Sequence, residues 1–325
     1  MKNICILGGN GFIGHHLARK FKQEGNFVRT VDINEYTYGP IDYTDHYVIL
    51  DLRQYENCVN SILLNGKPFD EVYNLAAWMG GAGVIFTGNN DAQILHDNLL
   101  ININVIDSCS KLKIKKLFFS SSACCYNQAT QTDKDNPNCA EHTAYPANPD
   151  SDYGFEKLMA ERIALAYKRN HNLDVHIARF HNIFGPEGAW NNGKEKSPAA
   201  MCRKVVTAQD KDTIEIWGDG EQTRSFLYID ECLEGIQRLM NSNFSGPVNI
   251  GSEENISINN LVKMACSFEN KTLNIKHIDG PLGVRGRNSD NKLIKEKLNW
   301  APSQPLIVGL KKQYDWIKSQ VELKK

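Results

Sequence analysis

Two residues four positions apart, Tyr153 and Lys157, have the side chains for a proton transfer coupled to a hydride transfer. On an α-helix such residues lie one turn apart on the same face, so the ammonium group lies beside the phenol. A neighbouring positive charge favours the phenolate and should lower the pKa of the phenol. The pair suits a general base that removes a hydroxyl proton while a hydride leaves for a nicotinamide. The same spacing also occurs on ordinary amphipathic helices, so the neighbouring motifs must decide between the two interpretations.

A glycine-rich turn near the N-terminus predicts a dinucleotide site. Gly8, Gly11 and Gly14 separate an apolar strand pattern from a helical pattern. Gly8 permits a tight turn, Gly11 lets the backbone approach a pyrophosphate, and Gly14 lets the helix pack closely on the strand. Asp32 ends the second predicted strand, where a carboxylate accepts hydrogen bonds from ribose hydroxyls and repels a 2′-phosphate. The pattern therefore predicts NAD rather than NADP.

Small polar residues follow another predicted buried strand. Ser122 and Cys124 come directly after this apolar run, and ligands of an open parallel sheet bind beyond the carboxyl ends of its strands. Ser122 is suited to hydrogen-bond a substrate hydroxyl or the ketone formed from it. Cys124 is either an acid or base at the edge of the site or a small buried residue that packs against the sheet. The residue type alone leaves both interpretations open.

Short apolar runs alternate with helical patterns through the first half of the chain, which predicts a parallel sheet built from βαβ units. We expect a doubly wound, Rossmann-like α/β domain in residues 1–178, which includes the helix of Tyr153. Residues 179–325 should form mainly a smaller α/β substrate-binding lobe, with some segments returning to the first domain. The predicted strands are residues 4–7, 27–32, 47–51, 71–75, 116–120, 175–179, 214–217, 226–228 and 248–250. The predicted helices are 12–24, 56–65, 91–112 and 153–170, and residues 127–150 are predicted to form a loop over a pocket.

Charge and composition exclude several functional classes. The formal net charge of the 325 residues is −1, without a basic cluster, so we do not expect nucleic acid as a partner. No apolar run approaches the ~20 residues that span a membrane. The N-terminus enters a predicted strand at once, so no signal peptide is expected. Nine cysteines without a C-x-x-C pair favour free thiols in a reducing compartment over disulfides or zinc. We therefore expect a cytoplasmic protein without a metal site.

The glycine turn, the serine-rich strand end and the Tyr-x-x-x-Lys pair together resemble the extended short-chain dehydrogenase/reductases that act on nucleotide sugars. Longer stretches, in order over nearly the whole chain, are similar to the GDP-mannose 3,5-epimerase family. These stretches are 74–81 (NLAAWMGG), 121–124 (SSAC), 179–186 (RFHNIFGP), 195–200 (EKSPAA), 217–226 (WGDGEQTRSF) and 283–290 (GVRGRNSD).

The resemblance implies a reaction in three parts on one bound GDP-hexose. Tyr153, Lys157 and Ser122 would oxidise C4 with NAD, which makes the protons at C3 and C5 acidic. Cys124 and Lys196 would be the acid/base pair on opposite faces of the ring, and C4 would then be reduced again. The residues expected to bind NAD are Gly8, Gly11, Phe12, Ile13, Gly14, Asp32, Asp51, Leu52, Ala76, Tyr153 and Lys157. The residues expected to bind the substrate are Gly81, Ser122, Cys124, Asn182, Glu195, Lys196, Lys204, Gln222, Arg224, Arg285 and Ser289. The resemblance also implies a homodimer.

Three residues depart from the family pattern. Trp78 stands where the plant-type pattern has Asp, and Cys125 and Asn127 replace an aliphatic residue and a proline. These departures leave open which GDP-sugar is bound and whether both C3 and C5 are inverted. The alternatives are a 4-dehydrogenase or a single-centre epimerase of a GDP-sugar such as GDP-heptose. A non-catalytic NAD-binding protein is a further alternative, against which the intact pair of Tyr153 and Lys157 argues.

Overall fold

The structure, a computed structural model, describes residues 1–324. Its strands are β1 (Asn3–Leu7), β2 (Phe27–Asp32), β3 (His46–Ile49), β4 (Leu63–Leu64), β5 (Lys67–Pro68), β6 (Glu71–Asn74), β7 (Lys116–Ser122), β8 (Val175–Phe180), β9 (Ile183–Phe184), β10 (Thr213–Trp217), β11 (Thr223–Ser225), β12 (Leu227–Tyr228), β13 (Val248–Ile250), β14 (Asn255–Ser257), β15 (Asn274–Ile278) and β16 (Gly286–Arg287). Its helices are α1 (Phe12–Gln23), α2 (Tyr55–Ser61), α3 (Ala82–Ile85), α4 (Asp91–Lys111), α5 (Asp152–His171), α6 (Ser197–Thr207), α7 (Ile229–Asn241), α8 (Ile258–Ser267), α9 (Lys292–Leu298) and α10 (Leu306–Glu322). Short 3₁₀ helices, Ala123–Cys125, Gln128–Gln131 and Glu141–Ala144, follow β7.

A parallel sheet forms the centre of the molecule. Its seven strands lie in the order β13-β8-β7-β6-β1-β2-β3, and each neighbouring pair is parallel. Its inner strands are buried along nearly their whole length, as expected for a sheet covered by helices on both faces. The doubly wound, Rossmann-like fold predicted from the sequence is therefore confirmed.

Alternate residues of β1 point to two different cores, because successive side chains of a strand face opposite sides. Ile4 and Ile6 belong to a core that includes α1, α7 and the helices of the C-terminal lobe. Cys5 and Leu7 belong to the core on the other face, with residues of α4 and α5. The first core thus continues from the sheet into the C-terminal lobe, and this continuity holds the two parts of the chain together.

The C-terminal lobe contains short sheets and the helices α6, α8 and α10. Its strands form the parallel pair β10-β15, the three-stranded sheet β14-β11-β16 and the parallel pair β12-β9. β13 does not join them but extends the main sheet beside β8. Segments beyond residue 178 thus return to the first domain, while the boundary itself stays a prediction. No helix within residues 1–324 has the length and apolarity needed to cross a membrane.

One predicted helix is wrong in its second half. Residues 56–65 were expected to be helical, but α2 ends at Ser61 and β4 pairs with β5 in an antiparallel hairpin. Asn65 and Gly66 connect these two strands with φ values of 51° and 76°. Asn-Gly is the sequence that favours a two-residue hairpin turn, so the reason for the error is local turn chemistry. The bounds of the other predicted helices and strands agree with the structure to within two residues.

A buried ion pair fixes α5 against the sheet. Arg179 of β8 donates to both carboxylate oxygens of Glu161 on α5, at 2.8 and 2.7 Å, and these side chains are 1% and 2% exposed. Glu161 also accepts a hydrogen bond from Ser121 of β7. The pair thereby sets the position of the helix that carries Tyr153.

We predict that Glu161→Gln destabilises the protein by about 3–5 kcal/mol, because it leaves the buried Arg179 charge without its counter-ion. Urea denaturation at neutral pH measures this loss. The matched control is Glu234→Gln, which makes the same change in a pair with Arg238 at 2.7 Å on the exposed surface of α7. The control should alter stability by less than about 1 kcal/mol. Equal effects of the two substitutions would contradict the prediction.

Candidate active site

The N-terminus of α5 brings Tyr153 to the carboxyl end of β7. The Ser151 hydroxyl caps the helix by accepting a hydrogen bond from the Gly154 N–H at 3.2 Å. A Cβ atom on Gly154 would lie 2.2 Å from the Cys124 carbonyl oxygen, so only glycine permits this approach. Ser122 accepts a hydrogen bond from the Cys124 N–H at 3.1 Å and begins the 3₁₀ turn that carries the thiol. Tyr153, Ser122 and Cys124 therefore lie together.

Burial dominates the electrostatics of Tyr153. It raises the pKa of the phenol well above its usual range, while a hydrogen bond from Ser122 acts in the opposite direction. The Lys157 ammonium lies 5.7 Å from the phenol ring centre and donates to the Ser120 carbonyl at 3.2 Å. The net shift is upward, opposite to the prediction from the spacing, because the cost of desolvation exceeds the favourable contacts. Lys157 itself is buried beside the strand end.

Arg287 is a charged neighbour of Cys124 that the sequence analysis did not assign. One of its terminal nitrogens donates to the Cys124 sulfur at 3.2 Å, and the other donates to Asp150 at 2.8 Å. Its Nε donates to the Gln131 side chain at 2.6 Å, and Arg287 is 5% exposed. The contact places a positive charge beside the Cys124 sulfur.

Arg285, an expected substrate residue, lies two residues before Arg287, at the protein surface. Its guanidinium binds both oxygens of Asp219 at 2.8 Å and is partly exposed. Arg287 belongs to β16, which pairs with β11, whereas Arg285 precedes this two-residue strand. The two-residue strand gives only a weak sequence pattern. Arg287 is recognised by its positive charge next to the thiol, and not by its position in a motif.

Lys196 is the residue directly before α6, and its ammonium lies near the Cys124 thiol. Burial lowers the pKa of its ammonium, and the charges of Cys124 and Cys232 oppose this effect. Gly81 sets the backbone that precedes it: the Gly81 N–H donates to the Lys194 carbonyl at 3.1 Å. A Cβ atom on Gly81 would lie 2.5 Å from the Glu195 carbonyl oxygen. An amine with a lowered pKa close to a thiol is suited to proton transfer near neutral pH.

Two further expected substrate residues reach this region. Arg224 donates to the carbonyls of Thr223 and Leu282 at 2.7 and 3.0 Å, and burial, followed by the Arg287 charge, lowers its pKa to about 10. Gln222 donates to the Trp217 carbonyl at 3.1 Å. Its buried amide oxygen has no partner within residues 1–324, so it is free to accept a bond from a ligand.

The remaining expected substrate residues bind other parts of the protein. Asn182 donates to the Ser225 carbonyl at 3.1 Å, and Lys204 donates to the Glu215 carbonyl. The other two pairs are Glu195 with Arg203 at 2.8 Å and the buried Ser289 with Asn291 at 2.6 Å. The structure therefore brings Ser122, Cys124, Tyr153, Lys196 and Arg224 around one centre, and Arg285 and Ser289 are engaged away from it.

A cavity of about 940 Å³ opens next to this centre. Its lining includes Ile85 and Phe86 on one side and Gln131, Asp150 and Arg285 on the other. Asp150 and Gln131 are the partners of Arg287, so the cavity reaches the charged network around the thiol. Part of the predicted loop 127–150 lines this space, as expected.

Of the three departures from the family pattern, Trp78 is the one that borders the reacting centre. Trp78 packs against the cluster of Ile85, Ile94 and Tyr153. Asn98 binds its backbone, accepting from the N–H at 2.6 Å and donating to the carbonyl at 3.1 Å. Cys125 points to Ser121, 3.3 Å away, on the side of the buried ion pair. Asn127 bonds to the backbone of its own loop.

The glycine turn fits a dinucleotide. Gly8 has a φ of 78°, and a Cβ atom there would lie 2.7 Å from the Ala76 nitrogen. A Cβ atom on Gly14 would lie 2.2 Å from the Gly8 carbonyl oxygen, so helix α1 and the turn touch at this point. Asp32 accepts bonds from the N–H groups of Asn10 and Asn34, each at 3.0 Å. Burial raises its pKa against the effect of these bonds. The turn, the helix start and the carboxylate adjoin, as a dinucleotide requires.

The other expected cofactor residues differ in their surroundings. Phe12 and Ile13 form the first turn of α1 at the edge of the core, and Leu52 is buried inside the second core. The Asp51 carboxylate is bonded to the Arg53 guanidinium, with a shortest contact of 2.7 Å. Asp51 therefore already has a charged partner, whereas the hydrogen bonds to the Asp32 carboxylate within residues 1–324 come from backbone N–H groups.

Comparison with known proteins supports the same assignment. The model of the NAD dependent epimerase/dehydratase family matches residues 4–251. The chain belongs to this family. It is 46% identical over 323 residues to GDP-mannose 3,5-epimerase from Arabidopsis thaliana, an alignment that covers 99% of this chain and 84% of that protein. It is 45% identical to GDP-mannose 3,5-epimerase 1 from Oryza sativa subsp. japonica, with 99% and 83% covered.

The solved structures confirm the fold. The UDP-glucose 4-epimerase of Thermotoga maritima, crystallised with UDP-glucose, superposes with a TM-score of 0.82 at 23% identity and covers 98% of this chain and 99% of that one. At that identity the similarity shows the fold alone. As a member of the NAD dependent epimerase/dehydratase family, this protein uses NAD, which agrees with the glycine turn and Asp32.

We predict that Asp32→Asn weakens NAD binding by roughly ten- to hundredfold, because a charged acceptor for the ribose hydroxyls is lost. The affinity for NADP should fall much less, because the carboxylate also repels a 2′-phosphate. Calorimetric titration of the NAD-free protein with both dinucleotides gives this ratio. Asp42→Asn, which changes an exposed carboxylate in the following segment, is the control and should bind both as the wild type does. An unchanged ratio for Asp32→Asn would contradict the role of this residue.

Proposed function

We propose that this protein is a GDP-mannose 3,5-epimerase that uses bound NAD. The observation that carries the proposal is the meeting of a phenol, a thiol and a half-buried amine around one centre, at Tyr153, Cys124 and Lys196. The relatives that carry this name are 45–46% identical over 99% of the chain, which supports the choice of GDP-mannose among nucleotide sugars.

The first chemical task is the removal of a proton from the C4 hydroxyl. NAD, held by the glycine turn and Asp32, would supply the hydride acceptor and donor for C4. Tyr153 takes the hydroxyl proton, and Ser122 holds the same oxygen by a hydrogen bond. Burial raises the pKa of the phenol, and Tyr153 can accept this proton only as the phenolate, which the hydrogen bond from Ser122 favours. Lys157 lies one turn along the same face of α5, with its ammonium 5.7 Å from the phenol ring centre.

The second task is inversion next to the ketone. A carbonyl at C4 acidifies the protons at C3 and C5, so a side chain on either face of the ring can remove them. Cys124 serves as one acid/base group, and the Arg287 guanidinium lies 3.2 Å from its sulfur. Lys196 serves as the other, and its lowered pKa makes the ammonium a stronger acid. Proton removal by one and delivery by the other invert the carbon.

The substrate phosphates need cations. Arg224, half-buried next to the Arg287 charge, offers the cationic donors that a diphosphate needs. We assign the GDP moiety of the substrate to this side of the centre. The hexose then extends toward Tyr153 and Cys124.

The proposal includes a homodimer. Ile103 on α4 and Phe155 and Met159 on α5 are large apolar residues that are 43%, 45% and 53% exposed. The two helices pack against each other, so this apolar face suits the same face of a second copy. A cytoplasmic location also belongs to the proposal and is supported by the nine free cysteines.

A second candidate is a 4-dehydrogenase or single-centre epimerase of another GDP-sugar, such as GDP-heptose. Trp78 is the observation that favours it. An indole beside Tyr153 replaces the acid of the family pattern, and this exchange alters which sugar substituents fit next to C4.

We predict that the protein, loaded with NAD in D2O, introduces deuterium at C5 and C3 of GDP-mannose, which NMR detects directly. Cys124→Ser and Lys196→Met should each abolish formation of the epimerised sugar in the same spectra, because inversion needs a proton carrier on each face of the ring. Cys125→Ser is the matched control, since this neighbouring thiol faces Ser121 and not the substrate. Absence of exchange with the intact protein would refute the epimerase proposal. Exchange confined to GDP-heptose, or accumulation of NADH, would instead support the second candidate.

We further predict that Tyr153→Phe lowers turnover of GDP-mannose by roughly 10²–10⁴-fold, as expected for the loss of an acid/base group. Proton exchange from a supplied GDP-4-keto sugar should continue, because Cys124 and Lys196 remain. NMR in D2O with both substrates separates the two steps. Loss of exchange from the keto sugar as well would show that the redox and epimerisation roles are not divided in this way.

A further inference from the structure

The carboxylate of Glu187 joins three segments of the chain. Glu187 lies in the loop after β9, and one of its oxygens contacts three donors. His15 Nε2, Arg19 and the Tyr36 hydroxyl each lie 3.0 Å from this oxygen. Three contacts to one partly buried carboxylate oxygen form a compact, charge-assisted cluster. We name these four residues the Glu187 cluster.

Two members of the cluster border residues expected to hold NAD. His15 follows Gly14, and its Nδ1 lies 2.9 Å from the carbonyl oxygen of Gly11. Tyr36 follows Asp32 by four residues and is 9% exposed. Glu187 therefore ties the glycine turn and the segment after β2 to one loop from beyond β9.

The loop of residues 185–188 packs directly on the first turn of α1. A Cβ atom on Gly188 would lie 3.1 Å from the Phe12 ring, and one on Gly185 would lie 3.4 Å from it. His16 Nε2 lies 3.1 Å from the Pro186 carbonyl oxygen. The loop thus covers the helix start that is expected to face the pyrophosphate.

Glu187 adopts an unfavourable backbone conformation at the centre of this loop. Its φ is 58°, in the left-handed region that residues other than glycine rarely occupy. The hydrogen bond from His15, together with those from Arg19 and Tyr36, holds the pKa of Glu187 well below its usual range. The carboxylate is therefore charged at neutral pH, and its contacts hold the loop in a conformation that the chain does not favour by itself.

The cluster is not a good metal site. His15, His16 and Glu187 offer ligand atoms within 4.8 Å of one another. The Arg19 guanidinium, however, contacts the Glu187 oxygen that a metal ion would use. A second cation at that oxygen would be repelled.

We propose that Glu187 is a positioning residue that retains NAD, because its cluster fastens loop 185–188 to the glycine turn and to the segment after Asp32. Opening of the dinucleotide site along this side requires all three contacts of the carboxylate to break. The benefit of retaining NAD rests on the proposed function, in which one cofactor molecule serves both the oxidation and the reduction of C4. The retention of NAD by Glu187 needs only that the protein binds NAD.

The test is the rate at which bound NAD exchanges for a fluorescent etheno-NAD, measured on the NAD-loaded protein without any sugar. Glu187→Ala should accelerate the exchange roughly tenfold or more, the factor expected for the loss of a charged hydrogen bond. Glu187→Gln keeps the side-chain length and should give a smaller acceleration. Tyr36→Phe removes one donor and should change the rate in the same direction. Glu35→Gln is the matched control: it removes an exposed carboxylate one residue from Tyr36 and should leave the rate unchanged.

The melting temperature of the NAD-free variants separates retention from general stability. If Glu187→Ala and Glu187→Gln lower this temperature but exchange NAD within about twofold of the wild-type rate, the proposal is overturned. Faster exchange in these variants, with Glu35→Gln at the wild-type rate, supports it. The NAD exchange assay contains no sugar. A failure of deuterium exchange at C3 and C5 of GDP-mannose, which would refute the proposed function, therefore leaves the NAD exchange result unaffected.

Discussion

The contact between the Arg287 guanidinium and the Cys124 sulfur is the interaction on which the rest of the site depends. Arg287 comes from β16 in the C-terminal lobe, while Cys124 follows β7 of the main sheet. The guanidinium is almost fully buried and needs a counter-charge, which Asp150 supplies at 2.8 Å. The position of the lobe, the loop before α5 and the thiol are therefore coupled. A change in any one of them alters the charge next to Cys124.

Local patterns predicted much of the fold. The glycine turn, Asp32 and the buried strands of the main sheet follow from residues that are neighbours in the sequence, so spacing and periodicity reveal them. The hairpin at residues 63–68 was missed because the predicted helix was continued to Asn65, and the turn preference of Asn65-Gly66 was not weighed. The helix prediction failed at that point for a reason present in the sequence.

The candidate site was less predictable, because its electrostatics arise from contacts between distant segments. Arg287 and Cys124 are 163 residues apart, and spacing does not show which of two nearby arginines turns inward. The upward pKa shift of Tyr153 depends on burial by neighbouring elements, which the Tyr-x-x-x-Lys motif does not contain. Motif positions identified Tyr153, Cys124 and Lys196, but the cations and hydrogen bonds that set their properties required the three-dimensional arrangement.

The close approach of Gly154 to the Cys124 carbonyl oxygen has a further consequence. The phenol next to this glycine and the thiol on the facing turn are carried by two backbone segments in direct contact. A side chain larger than hydrogen at position 154 would push these two segments, and with them the phenol and the thiol, apart. A variant with altered regiochemistry would need changes in the walls that orient the ring, such as Trp78, since the spacing of the reactive groups is set by the backbone itself.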